Sequence, residues 1–201
     1  MSITLLQSDA SEVRVSVTEA MRYMGVREDA TEIKAIAEHL LPELRNAAGP
    51  KACFAKYPVV FGESSVSVGG IVTESAALRR NLDGCVSAVI FAATLGIGVD
   101  RLVARYSRTT PSKAVILASL GSAMIAGWCD EVCAVIEREQ QNIGKCIKPR
   151  FSPGYGGFEL SAQRKIADIM ETEKRIGLYF TKSLMMIPEK SVTAIVGIYD
   201  K

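Results

Sequence analysis

Apolar positions in the first 50 residues recur with a helical period. Ile33, Ile36, Ala37, Leu40, Leu41 and Leu44 fall on one face of a predicted helix over about 30–48, the spacing of an amphipathic helix. Pro42 lies inside it and predicts a kink or a break, because proline lacks the backbone donor the helix needs. A shorter helix over 19–24 is expected to be capped by Thr18 and ended by Gly25. The period then changes. Cys53, Ala55 and Tyr57 alternate with other residues up to Phe61, and Val66, Val68 and Ile71-Val72 follow a polar turn. Two antiparallel strands around that turn are expected.

Further along, Ser75 is placed to cap a short helix ending at Asn81, and Gly84 opens an apolar run over 85–92. Such a continuous run suits a strand buried on both faces. The small-residue loop Thr94-Leu95-Gly96-Ile97-Gly98 then leads into a helix over 99–106. A phosphate site and a tight turn for close packing are both compatible with it. It has neither the dinucleotide fingerprint nor the P-loop ending, so the first reading is weak. Pro111 and Ser112 open the longest helix, through about 141, whose first half carries Ala114, Ala118, Gly121, Ala123, Ala126 and Gly127. Small residues let other backbones approach, so a central helix is expected, becoming charged at Glu137-Arg138-Glu139 as it leaves the core. After Ser161 comes a helix with Ile166, Ile169, Met170, Glu173 and Ile176, stopped by Gly177, and then a strand-like run at 178–181 that leads into the segment 183–197. The pattern predicts an α+β fold, with an antiparallel β-sheet flanked by helices. It also predicts a single unit over 1–201, comprising a helical part (1–50) and a sheet-and-helix part (51–201).

Composition narrows the function classes. The net charge of +2 comes from 24 basic and 22 acidic residues without a basic cluster, which argues against nucleic acid as a partner. The N-terminus lacks the basic and apolar regions of a signal peptide. The apolar run ending at Leu95 is too short to span a bilayer. Five cysteines without framework spacing fit reduced thiols in a cytoplasmic protein.

Few residues suggest catalysis. Cys129 and Cys133 share a helix face and could join Cys146 around a metal, but buried structural thiols are the simpler reading. His39, the only histidine, lies in an amphipathic helix with no partner residues for a triad. The segment Lys148-Pro149-Arg150-Phe151-Ser152-Pro153-Gly154-Tyr155-Gly156-Gly157 is more informative. Its prolines restrict the backbone and its glycines permit turns that expose amides and carbonyls. Arg150 offers a fork for a carboxylate and Tyr155 a flat face with a hydroxyl. An amino-acid or nucleoside ligand would suit this set, although a plain Pro-Gly turn would look much the same.

Several ordered motifs carry a resemblance. Arg150-Phe151-Ser152-Pro153-Gly154-Tyr155 is followed by Glu173-Lys174-Arg175-Ile176-Gly177, Thr181-Lys182-Ser183, Met185-Met186-Ile187-Pro188 and Ser191-Val192. In this order they resemble the activation domain of cobalamin-dependent methionine synthase, in a short stand-alone form. The match runs from about Cys146 to the end and is weaker over 84–138. The resemblance implies that S-adenosylmethionine lies along the loop at 150–157. Arg150 would take the methionyl carboxylate, with Ser152, Pro153, Gly154 and Tyr155 lining the rest. It implies a module that supports reductive methylation of cob(II)alamin, the cobalamin being carried by a partner methionine synthase or corrinoid methyltransferase. A flavodoxin or similar electron donor would take part, but neither nucleic acid nor membrane. The family has a Glu on the long helix where this chain has Ala126, with Asp130 one turn on. It also has a further Tyr past the last strand that has no counterpart up to Lys201. Both departures favour the alternative, a non-catalytic docking or scaffold protein that keeps the fold without the ligand.

Overall fold

A computed structural model describes residues 2–27 and 29–200; Met1, Glu28 and Lys201 lie outside the described residues. The sheet is built on three long strands, β2 (Lys51–Phe61), β5 (Ser87–Thr94) and β9 (Ser191–Asp200). β5 is central, buried along its whole length and paired antiparallel to β2 on one side and β9 on the other. The short strands β3 (Val66–Val68) and β4 (Ile71–Thr73) extend the sheet beyond the end of β2. β6 (Lys145–Ile147) extends it beyond β9. β1 (Thr4–Gln7) also pairs with β2, with Leu5 opposite Cys53. Every pairing among the described residues is antiparallel, so the expected α+β architecture is the one observed.

The sheet separates two apolar cores because side chains alternate along each strand. Phe54, Phe91, Ala194 and Val196 point into one core and Cys53, Ala55, Ile90 and Ile195 into the other. The first core is roofed by α1 (Val17–Tyr23), α2 (Thr31–Ala47), α4 (Ile97–Thr109) and α5 (Pro111–Gln141). The second is closed by α3 (Ala76–Asn81), α6 (Ala162–Met170) and α7 (Thr172–Ile176). A small hairpin, β7 (Tyr179–Phe180) with β8 (Met186–Ile187), precedes β9.

α5 is the central helix its small residues predict. Trp128 is almost fully buried and its indole N–H donates to the Lys51 carbonyl at 3.1 Å, which ties the helix to β2. An 18-residue window of α5 is apolar enough to cross a membrane, but 61% of it is buried inside the protein. Its hydrophobicity is therefore used in the core. At Gly127 an added Cβ would lie 2.0 Å from the Arg14 carbonyl oxygen, so the segment before α1 runs directly over the helix.

Several local expectations change. Ser16, not Thr18, caps α1, its hydroxyl accepting from the Glu19 N–H. The first 50 residues are not wholly helical, because Thr4–Gln7 forms β1 along β2. Four residues are too few to show a period, and only the partner strand reveals the element. α2 continues through Pro42 without a break; packing of Leu40 and Leu44 into the core holds the helix across the missing hydrogen bond. The helix expected after Ser161 is two helices, separated at Glu171, which has a left-handed φ of 49°. The loop before α4 is the tight turn: at Gly98 a Cβ would stand 2.1 Å from the Ala47 carbonyl oxygen, so α4 packs directly on the end of α2.

Candidate functional site

After β6 the chain runs alongside β9 and then leaves it. The Lys148 N–H donates to the Gly197 carbonyl at 2.8 Å, and Phe151 and Ile195 exchange two backbone hydrogen bonds of 2.8 and 2.9 Å. Beyond Phe151 the chain turns away. Gly154, with φ at +94°, directs its N–H to the Phe158 carbonyl at 2.7 Å, and the Phe158 N–H returns to the Tyr155 carbonyl at 2.8 Å. Phe158 is buried in the second core and anchors the turn from below. Ser75, the cap of α3, also donates its hydroxyl to the Gly156 carbonyl at 2.7 Å. Asn81 donates to the Pro149 carbonyl at 3.2 Å. The loop is thus fixed from several sides before any ligand arrives, which lowers the cost of binding.

The departure of this loop from β9 opens a cleft of about 630 Å³, within the usual range for small-molecule sites. Ser122, Ile125, Ala126 and Cys129 form one wall, at the spacing of a single face of α5. Arg150, Phe151, Ser152, Pro153 and Tyr155 form the opposite lip. Tyr23 from α1, Leu160 just before α6, Gln163 from α6, Met186 from β8, and Ser191, Val192 and Thr193 from β9 complete it. Four of the five loop residues singled out by sequence therefore line one cleft: Arg150, Ser152, Pro153 and Tyr155. Gly154 is not on its wall and shapes the turn instead.

Arg150 is the cleft's cation. It lies half-buried, with Nη1 in an ion pair with Asp130. Burial raises the pKa of the Cys133 thiol, one helical turn beyond Cys129 on α5, and the nearby Arg150 charge opposes that rise. Burial pushes the Cys129 thiol up to about 12, so this cleft-lining sulfur stays protonated and unreactive near neutrality. The Tyr23 hydroxyl donates to Glu19 at 2.5 Å, and that bond raises its pKa to about 12. Tyr155 is 71% exposed and presents its ring at the mouth. At the far end, Ser191 is hydrogen-bonded to Thr94 at 2.8 Å and to the Pro188 carbonyl at 2.7 Å. The arrangement has one positive fork, two tyrosine rings and an apolar helix wall. These are groups suited to holding a small molecule.

Sequence reasoning missed Tyr23, Gln163, Met186 and Thr193, which come from four separate elements. Their convergence depends on how the two cores stack across the sheet, and no local pattern signals it. The remaining candidates fall elsewhere. His39 is exposed on α2. No group of His, Cys, Asp and Glu able to hold a metal occurs among the described residues. All five cysteines are free. A second cleft of about 600 Å³ lies between α6, α7 and β7. Arg164, Asp168, Glu171, Glu173 and Lys174 line it together with Leu178, Tyr179 and Phe180, so charges of both signs face an apolar patch there.

No protein-family description and no curated protein sequence matches the chain. Among solved structures it is similar to one described as the crystal structure of the MetH reactivation domain bound to AdoHcy. The TM-score is 0.76, over 98% of this chain and 78% of that one, at 15% sequence identity. Between chains so different in sequence, the likeness establishes a shared fold: this chain folds as the MetH reactivation domain does.

Proposed function

We propose that the chain is a module that binds S-adenosylmethionine and supports reactivation of a corrinoid methyltransferase. One observation carries this reading. The cleft lies along the Arg150–Tyr155 loop, in a fold shared with a reactivation domain whose solved structure holds AdoHcy. Arg150 would take the ligand's carboxylate through its guanidinium. The exposed rings of Tyr23 and Tyr155 offer flat faces for a purine. Ile125, Ala126 and Met186 would exclude water from the sulfonium. The ligand supplies an electrophilic methyl group. The chain's own role is to fix its position, which replaces a bimolecular search with a prepared encounter. The methyl acceptor, cobalamin in its reduced state, would be carried by a partner methionine synthase or corrinoid methyltransferase, with a flavodoxin or similar protein as electron donor. The free cysteines suit a reducing compartment such as the cytoplasm.

A second reading has its own support. Ala126, on the cleft wall, stands where the resembling family has a Glu, and Arg150 already holds Asp130. A docking or scaffold protein without a ligand would tolerate both. Calorimetry with S-adenosylmethionine separates the two. Saturable binding supports the module, and absence of heat at millimolar ligand eliminates it in favour of the scaffold. Methyl transfer to cob(I)alamin on a purified partner then tests the wider role.

A further inference from the structure

The floor of the cleft is a strand edge with one residue uncovered. Ile195 turns its N–H and C=O toward Phe151, and Gly197 turns its C=O toward Lys148. Backbone groups on a strand alternate sides with a period of two. Thr193 therefore points its N–H and C=O the same way, into the cleft that it lines. Continuing the Phe151–Ile195 register by two residues places Pro153 opposite Thr193. Proline has no N–H to offer, and the chain is already turning away through the Gly154–Phe158 bond. Thr193 as a whole is only 2% exposed. A buried strand edge left in this state is costly unless something fills it.

The opening is one residue long. The Ser191 N–H is already taken by the Glu189 carbonyl at 2.9 Å, so an added peptide strand would find no second pair of bonds. The site fits a small planar group with a donor beside an acceptor, which would repeat at Thr193 the two-bond fork that Phe151 makes at Ile195.

We infer that Thr193 is the base-reading subsite of this cleft. Its C=O accepts from the exocyclic amine of an adenine, and its N–H donates to the neighbouring ring nitrogen. This rests on the nucleoside reading given above and names the atoms that would select the base. Hypoxanthine presents the same edge with donor and acceptor exchanged, so it sets acceptor against acceptor and donor against donor.

The test uses the full chain with S-adenosylhomocysteine and its inosine counterpart in calorimetry, together with amide hydrogen exchange. The adenine compound is expected to bind at least about tenfold more tightly, the factor set by roughly one hydrogen bond's net worth. It should also slow exchange of the Thr193 amide. Equal affinity for the two compounds, with no change at the Thr193 amide, would overturn this inference and leave the nucleoside reading standing. Failure of S-adenosylhomocysteine to bind at all would overturn both.

Discussion

Replacing Gly127 on α5 sets two effects of opposite sign against each other. Alanine is preferred over glycine inside a helix by about 1 kcal/mol, and on that ground Gly127→Ala should stabilise the protein. The added Cβ, however, would stand 2.0 Å from the Arg14 carbonyl oxygen and 3.1 Å from its carbon. These are backbone atoms, which cannot rotate aside. The segment would have to lift by more than ~1 Å to restore contact distance, given that interiors pack without slack. Val13 beside it is fully buried and the Arg14 N–H donates to Glu131 at 3.1 Å, so lifting disturbs both. Overpacking costs about 1–3 kcal/mol, and a rigid obstacle belongs at the upper end. The net expectation is a loss of about 2 kcal/mol, or a melting temperature lower by roughly 4–8 °C for a chain of this size. Gly121, on the same helix, is the control. Its Cβ would meet Lys190 Cγ and Val99 Cγ1 at 3.3 Å, side-chain contacts that need yield only a few tenths of an ångström, so Gly121→Ala should change stability by no more than about 1 kcal/mol in either direction. Urea unfolding of both variants decides the matter. A Gly127→Ala protein more stable than the parent would refute the account of how the first segment crosses α5.

Other consequences are as direct. If S-adenosylmethionine binds, Arg150→Ala should weaken it by about 1.5–3 kcal/mol, the worth of a hydrogen bond to a charged group; unchanged calorimetric affinity would make Arg150 structural. Asp130→Asn should change stability by less than ~1 kcal/mol, because the carboxylate it removes is largely exposed. The same change frees Arg150 and should tighten ligand binding up to about fivefold, within the modest worth of an exposed ion pair, whereas weaker binding would mean that Asp130 itself contacts the ligand. Burial raises the thiols of Cys53 and Cys129, to about 11 and about 12. A raised folded-state value makes stability complete below the unfolded value near 9 and progressively lost as pH climbs through the folded one. The urea midpoint should therefore fall between about pH 9 and 12, and Cys129→Val should lessen the fall. Thiol titration with a bulky disulfide reagent at about pH 8, just below the ordinary thiol pKa, should modify Cys133 and Cys146 first and Cys129 only on unfolding, since Cys129 is buried and the other two are partly open.

What could be read along the chain was what local physics decides. The limits of α5, the Ser75 cap, the β2–β3 pairing and the Gly177 stop each rest on neighbouring residues, and all stand as expected. Thr4–Gln7 was invisible because its only reason to be a strand is β2, which begins at Lys51. The break at Glu171 was missed because apolar spacing runs across it, while one left-handed residue redirects the helix. The site divides the same way. The Pro-Gly loop announces itself through its backbone constraints, but Tyr23 and Thr193 become cleft residues only when an edge strand loses its partner at Pro153.

The position of the cleft has a mechanical consequence. It lies at a sheet margin where the layer containing α5 meets the layer containing α6, so its walls belong to two bodies that are joined chiefly by the β-strands between them. A molecule seated there acts as a wedge pin: it resists sliding of one layer over the other, although its contacts with each are few. Occupancy would then be felt in both cores, in slower opening around Trp128 on one side and Phe158 on the other. The site's influence on the protein is set by where it stands between the layers as much as by how tightly it holds.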